Sequence, residues 1–119
     1  MTRTPSRFLL VEDEYFVAVL MEDFLADLRH QVAGVAATLD EALELARGGA
    51  FDAALLDLQL GRASSYPVAD ILKDRAIPFA FVTGHRAEDV LPAYAGAPVL
   101  CKPFRLVEFT AIIARLLPA

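Results

Sequence analysis

RFLLVEDEYF, residues 7–16, joins a short apolar run to three consecutive carboxylates. The uninterrupted apolar run at residues 8–11 predicts a strand that is buried on both faces. Behind the acidic residues, apolar side chains recur at helical spacing up to residue 28, which predicts a helix directly after the strand. Glu12, Asp13 and Glu14 therefore stand at the exit of the first strand. Gathering carboxylates there costs electrostatic repulsion unless a cation is present.

Four further strands are predicted along the chain. Apolar runs place them within residues 30–38, 51–60, 77–85 and 98–101. Helices are predicted from residue 39, from residue 67, over 86–97 and over 105–117, with a loop at 61–66. Five strands alternating with five helices predict an α/β fold, an open and mostly parallel sheet with helices on both faces.

Local signals mark the ends of three of these helices. Thr38 and Glu41 form a T-x-x-E capping box at the start of the second helix. Pro67 suits the first position of the third helix, where its missing N–H is not needed. Pro92 interrupts the fourth helix, which is therefore predicted to be short and weak.

Composition and charge restrict the class of protein. With 119 residues, of which 56% are hydrophobic and 23% charged, the chain suits one folded domain and is too apolar to be disordered. The net charge of -5 and the lack of a Lys/Arg cluster argue against nucleic-acid binding. No apolar stretch suits a signal sequence or a membrane span, so a cytoplasmic protein without membrane contact is expected. The single cysteine, Cys101, is expected to be buried.

Polar side chains with complementary chemistry stand at the ends of four of the five predicted strands. They are Glu12 and Asp13 after the first strand, Asp57 at the end of the third, Thr83 at the end of the fourth and Lys102 after the fifth. The carboxyl ends of parallel strands meet at one edge of a sheet, so these side chains should lie together. Carboxylates suit Mg²⁺, and a lysine and a threonine suit a phosphoryl group. The pattern indicates a carboxylate that accepts a phosphoryl group.

The motifs VEDE, LLDLQ, FVTGH and CKPF, in this order at successive strand ends, resemble the receiver domain of two-component response regulators. The resemblance covers residues 7–117. It implies a flavodoxin-like (βα)5 fold, a doubly wound parallel sheet of strand order 2-1-3-4-5. It also implies a single free-standing receiver domain over residues 1–119, without an output domain, that acts as a phosphorylated signalling protein rather than as an enzyme.

The resemblance implies a role for each site residue. Asp57 is the phospho-acceptor, and a sensor histidine kinase or a phosphotransfer protein is the donor. Mg²⁺, with Mn²⁺ as an alternative, is bound by Asp13, Glu12, Asp57 and the backbone carbonyl of Gln59. Thr83 and Lys102 bind the phosphoryl group, and a cis peptide before Pro103 directs the lysine across the site. Glu14 is expected to be a solvated residue in the first turn of the first helix.

Some positions depart from the common receiver pattern. Many receivers carry an aromatic residue three positions before the lysine, where this chain has Val99, so the usual coupling of Thr83 to an aromatic switch is not expected. The stretch PFAFVTG, with the loop after Asp57, is similar to an atypical alphaproteobacterial subfamily whose fourth strand contains Phe-Ala-Thr-Gly. Gln59 and His85 stand where receivers tune the lifetime of the phosphoryl group, although His85 also suits a solvated loop.

The expected output is contact with a downstream protein. The resemblance places it on the face made by the fourth helix, the fifth strand and the fifth helix, with Ala93, Tyr94, Ala97 and Phe104 as candidate contacts. Tyr66 or Tyr94 would be able to replace the missing switch aromatic, although each also suits a packing role. A phosphorylation-dependent homodimer and a role as a phosphate sink both stay open.

Three other functions fit the sequence less well. A haloacid-dehalogenase-type, Mg²⁺-dependent phosphatase needs a second Asp two residues after the nucleophile, where this chain has Gln59. A flavin or dinucleotide carrier would carry G-x-G-x-x-G after the first strand, and the chain does not. An interaction module that does not use phosphorylation would have no need of the intact acceptor site.

Overall fold

Strands and helices alternate along the chain, of which the computed structural model describes residues 5–84 and 90–118. The elements are, in chain order, β1 (Arg7–Val11), α1 (Tyr15–Asp27), β2 (Gln31–Ala36), α2 (Leu39–Gly48), β3 (Ala53–Asp57), β4 (Gln59–Leu60), β5 (Ala63–Ser64), α3 (Tyr66–Asp74), β6 (Phe79–Thr83), a 3-10 turn (Pro92–Tyr94), β7 (Val99–Cys101) and α4 (Leu106–Leu116).

The main sheet contains five parallel strands in the order β2-β1-β3-β6-β7. When the short strands β4 and β5 are left out of the count, this is the predicted order 2-1-3-4-5, and the flavodoxin-like fold is confirmed. The central strand β3 and its neighbour β6 are buried at every residue. A parallel sheet covered on both faces requires such continuous apolar strands.

Two hydrophobic cores lie on opposite faces of the sheet. Phe8 and Leu10 of β1 pack in the core that α1 and α4 cover, whereas Leu9 and Val11 pack in the core that α2 and α3 cover. Successive side chains of a strand point to opposite faces, so one apolar strand supplies both cores. The carboxylates that follow β1 are thereby held at the edge of the sheet, between the two helical layers.

The helices begin largely where local signals predicted. Thr38 Oγ1 accepts a hydrogen bond from Glu41 N at 3.2 Å, which confirms Thr38 as the N-cap of α2. The Glu41 carboxylate accepts its bond from the Thr38 hydroxyl at 3.1 Å, whereas the second bond of a capping box comes from the backbone N–H of the N-cap residue. The predicted capping box is therefore confirmed only in its first half. Helix α3 begins at Tyr66, one residue before the predicted Pro67. None of the helices in the described part of the chain is long and apolar enough to cross a membrane.

The predicted loop at residues 61–66 is wrong in part, because the chain forms a hairpin there. β4 and β5 pair antiparallel, Gln59 with Ser64 and Leu60 with Ala63. Gly61 turns between them with φ of 60°, a left-handed conformation that glycine adopts without steric strain. The hairpin directly follows β3, so it lies beside the carboxyl end of the central strand.

The fourth predicted helix is not found as an α-helix in the described residues. Its start falls on residues 85–89, which lie outside the described part of the chain. The remainder contains only the 3-10 turn, which begins at Pro92. Proline lacks the backbone N–H that an α-helix would use, which favours the shorter turn.

Cys101 is exposed, contrary to the expectation that it is buried. It ends β7, a three-residue strand at the edge of the sheet, and pairs in register with Thr83. Its neighbour Leu100 is 4% exposed and occupies the buried side of the strand. The apolar run is thus buried at Leu100 and half-buried at Val99, and its last residue, at the end of the edge strand, is exposed.

Candidate functional site

Four strands end at the same edge of the sheet with the predicted functional side chains. Asp57 is the last residue of β3 and Thr83 the last of β6, whereas Glu12 and Lys102 directly follow β1 and β7. Backbone bonds extend the sheet beyond these strands, with Glu12 N donating to Ala36 O at 2.9 Å and Lys102 N to Thr83 O at 2.7 Å. The sheet therefore fixes the points from which these side chains project.

Lys102 connects three carboxylates. Its Nζ atom donates hydrogen bonds to Asp57 Oδ2 at 3.3 Å, to Glu12 Oε2 at 3.2 Å and to Glu14 Oε1 at 3.0 Å. The exposed fraction of the side chain is 0% for Glu12, 7% for Asp57 and 62% for Glu14. The Lys102–Pro103 peptide is cis, as the resemblance implied. One ammonium group thus contacts two buried carboxylates and one exposed carboxylate.

The two buried carboxylates resist ionisation. Burial raises the pKa of Glu12 to about 7, and its hydrogen bond with Asp57 acts in the same direction. Burial also raises the pKa of Asp57, although the hydrogen bond from Glu12 and the charge of Lys102 offset part of the effect. Burial lowers the pKa of Lys102, but its hydrogen bonds with Glu14 and Glu12 outweigh burial and raise it overall. Without a bound cation, Glu12 is therefore partly protonated near neutral pH.

The acidic cluster has the donor chemistry of a magnesium site. Ligand oxygens of Glu12, Asp13, Glu14 and Asp57 lie within 4.8 Å of one another. Glu12 Oε1 is buried and lies 3.1 Å from Lys102 Nζ. Among the described residues it has no hydrogen-bond partner of good geometry. Mg²⁺ binds carboxylate and carbonyl oxygens, so the donor set and the unsatisfied oxygen fit this ion.

Asp13 and Gln59 join the acidic cluster to the hairpin. Asp13 Oδ2 accepts a hydrogen bond from Gly61 N at 3.0 Å, and Gln59 N donates one to Asp57 Oδ1 at 3.2 Å. Both Asp13 and Gln59 are exposed. They border the solvent side of the site, and their assignment as metal ligands stays a prediction.

The other predicted site residues occupy three different settings. Thr83 is 2% exposed at the end of β6. Val99 begins β7, is half-buried and pairs in register with Phe81. Pro103 is exposed beside Lys102. His85, the second candidate for tuning the phosphoryl lifetime, lies outside the described residues.

Glu14 belongs to the cluster, which the sequence reasoning missed. It occupies the N-cap position of α1 and makes no side-chain capping bond. Its contact with Lys102 joins residues 88 positions apart. Local patterns carry no signal for such a contact; only its place at the strand exit, beside Glu12 and Asp13, pointed to the site.

Two tyrosines form a stacked pair close to the position where an aromatic switch is absent. The rings of Tyr66 and Tyr94 lie 4.4 Å apart at an angle of 20°, and both contact the ring of Phe81, the register partner of Val99. Tyr66 Oη accepts a hydrogen bond from Leu91 N at 3.0 Å. The pair therefore ties α3 to the segment that follows residue 90.

The substitution Tyr94→Phe tests how much Tyr94 contributes to holding α3 against the segment that follows residue 90. Tyr94 Oη donates a hydrogen bond to Asp70 Oδ1 at 2.7 Å, and this bond raises the pKa of the phenol. Its loss is expected to lower the free energy of unfolding by about 1 kcal/mol, measured by urea denaturation. Tyr15→Phe is the matched control, because Tyr15 is 74% exposed and its variant should unfold like the wild type. Equal stability of the two variants would contradict a structural role for the Tyr94 hydroxyl.

A parallel five-stranded sheet with an acidic cluster and a lysine at the carboxyl ends of its strands defines the class of protein. The chain belongs to the response regulator receiver domain family, whose sequence model matches residues 8–114. The family consists of signalling domains of two-component systems and phosphorelays, and this confirms the class predicted from the strand-end motifs.

Three named relatives show which receiver proteins this chain is similar to. The chain is similar to the phyllosphere-induced regulator PhyR of Methylorubrum extorquens, with 32% identity over 120 residues that cover 94% of this chain and 43% of PhyR. It is similar to the solution structure of SdrG from Sphingomonas melonis Fr1, with 38% identity, a TM-score of 0.86 and coverage of 98% and 100%. It is also similar to PhyR from Brucella abortus, with 32% identity, a TM-score of 0.84 and coverage of 97% and 49%.

These relatives agree with the predicted atypical subfamily. They are regulators rather than enzymes, as expected for this chain. The chain spans less than half the length of the curated PhyR relative. The likeness therefore concerns the receiver portion of that protein.

Proposed function

We propose that this receiver accepts a phosphoryl group on Asp57 from a phosphohistidine of a histidine kinase or phosphotransfer protein, in a reaction that requires Mg²⁺. The observation that carries the proposal is the setting of Asp57. Asp57 ends the central strand, its side chain is 7% exposed, and its carboxylate lies 3.3 Å from the Lys102 ammonium group. A carboxylate kept so close to a cation and to further acids suits transfer of an anionic group.

The transfer is a substitution at phosphorus. A carboxylate oxygen of Asp57 attacks the phosphorus, the P–N bond to the donor histidine breaks, and the imidazole leaves with the bonding electrons. Lys102 pairs with the oxygens of the transferred group. Bound Mg²⁺ supplies further positive charge for those oxygens. The residues that would hold it are Asp13, Glu12, Asp57 and, through its backbone carbonyl, Gln59.

The signal would pass to a protein partner through the face made by the 3-10 turn, β7 and α4. Ala93 is exposed on this face, and Tyr94 and Ala97 are half-buried. Phe104, the fourth candidate contact, is 8% exposed and stacks on Phe109 with ring centres 5.9 Å apart, so it belongs to the core. A solved relative, PhyR from Bartonella quintana, is described as an anti-anti-sigma factor. That description supports a protein as the downstream partner.

Labelling of the purified protein tests the proposed chemistry. Incubation with acetyl phosphate and Mg²⁺ is expected to produce acid-stable, base-labile phosphate, and peptide mapping should locate it on Asp57. Chelation of Mg²⁺ by EDTA should prevent labelling. A folded wild-type protein that takes up no phosphate, or that takes it up on another residue, would contradict the proposal.

Lys102→Ala separates binding of the metal from use of the phosphoryl group. Because Lys102 is a cation beside the acidic cluster, its loss should leave Mg²⁺ affinity undiminished while weakening the binding of beryllofluoride, a mimic of the phosphoryl group. Calorimetric titration measures the first quantity, and NMR titration with beryllofluoride measures the second. A collapse of Mg²⁺ affinity in this variant would show that the assigned role of Lys102 is wrong.

A further inference from the structure

Glu14 differs from the other two carboxylates that contact Lys102. Its Oε1 atom lies 3.0 Å from Lys102 Nζ, as close as any carboxylate of the cluster, yet the side chain of Glu14 is 62% exposed. Glu12 and Asp57 are almost fully buried. A buried carboxylate that loses its partner pays a large desolvation penalty, whereas an exposed one regains water. Glu14 is therefore the contact that Lys102 can give up most easily.

The backbone of Glu14 is held while its side chain has room to move. Its N–H donates a hydrogen bond to Glu12 Oε2 at 3.1 Å, and the side chain takes no part in capping α1. A cleft of about 360 Å³ lies beside it, lined by Glu14, Val17, Leu20, Lys102, Pro103 and Phe104. The carboxylate can leave Lys102 without disturbing the core.

We propose that Glu14 is a positioning residue that holds Lys102 in the unphosphorylated protein and competes with the phosphoryl group for it; this rests on the proposed function of Asp57. A lysine ammonium has three donors, and in this site they face Glu12, Glu14 and Asp57. A phosphoryl group on Asp57 needs one of these donors. Glu14 yields it by turning into solvent.

Glu14→Gln tests this competition because it removes the charge and keeps the shape. Beryllofluoride affinity in the presence of saturating Mg²⁺ is expected to rise by about two- to five-fold, the value of one exposed ion pair. The gain should shrink at high salt. Salt screens the Glu14–Lys102 attraction in the wild type, so removing that attraction then changes the affinity less. Glu44→Gln is the matched control, since Glu44 is an exposed glutamate on α2, and it should leave affinity unchanged.

Three results would overturn the proposal. One is an affinity for beryllofluoride that is unchanged or lower in Glu14→Gln. Another is an equal rise in the Glu44→Gln control, which would indicate a general charge effect. The third is a loss of Mg²⁺ affinity as large as that of Asp13→Asn, which would make Glu14 a metal ligand. If Asp57 of the wild-type protein takes up neither phosphate nor beryllofluoride, the proposed function itself fails, which is a distinct outcome.

Discussion

Asp57→Asn is expected to abolish phosphate labelling and, at the same time, to raise the free energy of unfolding. An amide cannot form the acyl phosphate, so labelling should vanish rather than decline. Burial raises the pKa of Asp57 despite its contact with Lys102, which means that the fold disfavours the ionised form. A neutral isostere removes that penalty and should make the protein more stable than the wild type at a pH of about 8.

The two effects of Asp57→Asn are measured separately. Labelling with acetyl phosphate gives the first, and urea denaturation in EDTA gives the second. Asp23→Asn is the control, because Asp23 is exposed on α1; it should be labelled and unfold like the wild type. Full labelling of Asp57→Asn would assign the acceptor elsewhere. A less stable Asp57→Asn protein would show that the lysine contact outweighs burial.

The metal-free wild-type protein is expected to become more stable as the pH falls from about 8 to about 5. The pKa of Glu12 is 4.5 in its ordinary state and about 7 in the fold. Between these values the folded state binds more protons than the unfolded state, so stability falls as the pH rises through the folded pKa. Each pKa unit corresponds to about 1.4 kcal/mol. Since solvent screens the charges at the mouth of the site, we expect the free energy of unfolding to change by roughly 2 kcal/mol over this pH range.

Glu12→Gln should remove most of this pH dependence and should be more stable than the wild type at the alkaline end. Urea denaturation at several pH values in EDTA provides the measurement. The control, Glu44→Gln, should keep the slope of the wild type. A slope that survives in Glu12→Gln would place the responsible proton on another group, and Asp57 would be the next to test.

The arrangement of the sheet was predictable because its strands are short, mainly apolar runs, and four of the five end in or are followed by a polar side chain. Because parallel strands have their carboxyl ends at one edge of the sheet, the sequence alone predicted that Glu12, Asp57 and Lys102 lie together there. The hairpin after β3 was not predictable, since strands of two residues leave no periodic pattern. Gly61 was its only local mark, and a glycine suits a loop equally well.

Details of the site depended on contacts that sequence patterns do not carry. The contact of Glu14 with Lys102 and the stacking of Tyr66 on Tyr94 each join distant segments. The exposure of Cys101 was not predictable either, because it depends on the position of this residue at the end of the edge strand β7. Motifs therefore identified the chemistry, and packing decided which neighbouring residues take part in it.

The exposed Cys101 provides an attachment site for a spectroscopic probe. The sequence contains one cysteine, and it lies opposite Thr83 in the strand register. A thiol-reactive fluorophore or spin label could therefore be attached without first engineering the protein. Such a reporter would sit at the end of β7, beside the strand β6 that ends in Thr83, where it could follow the response of a single molecule to phosphorylation in real time.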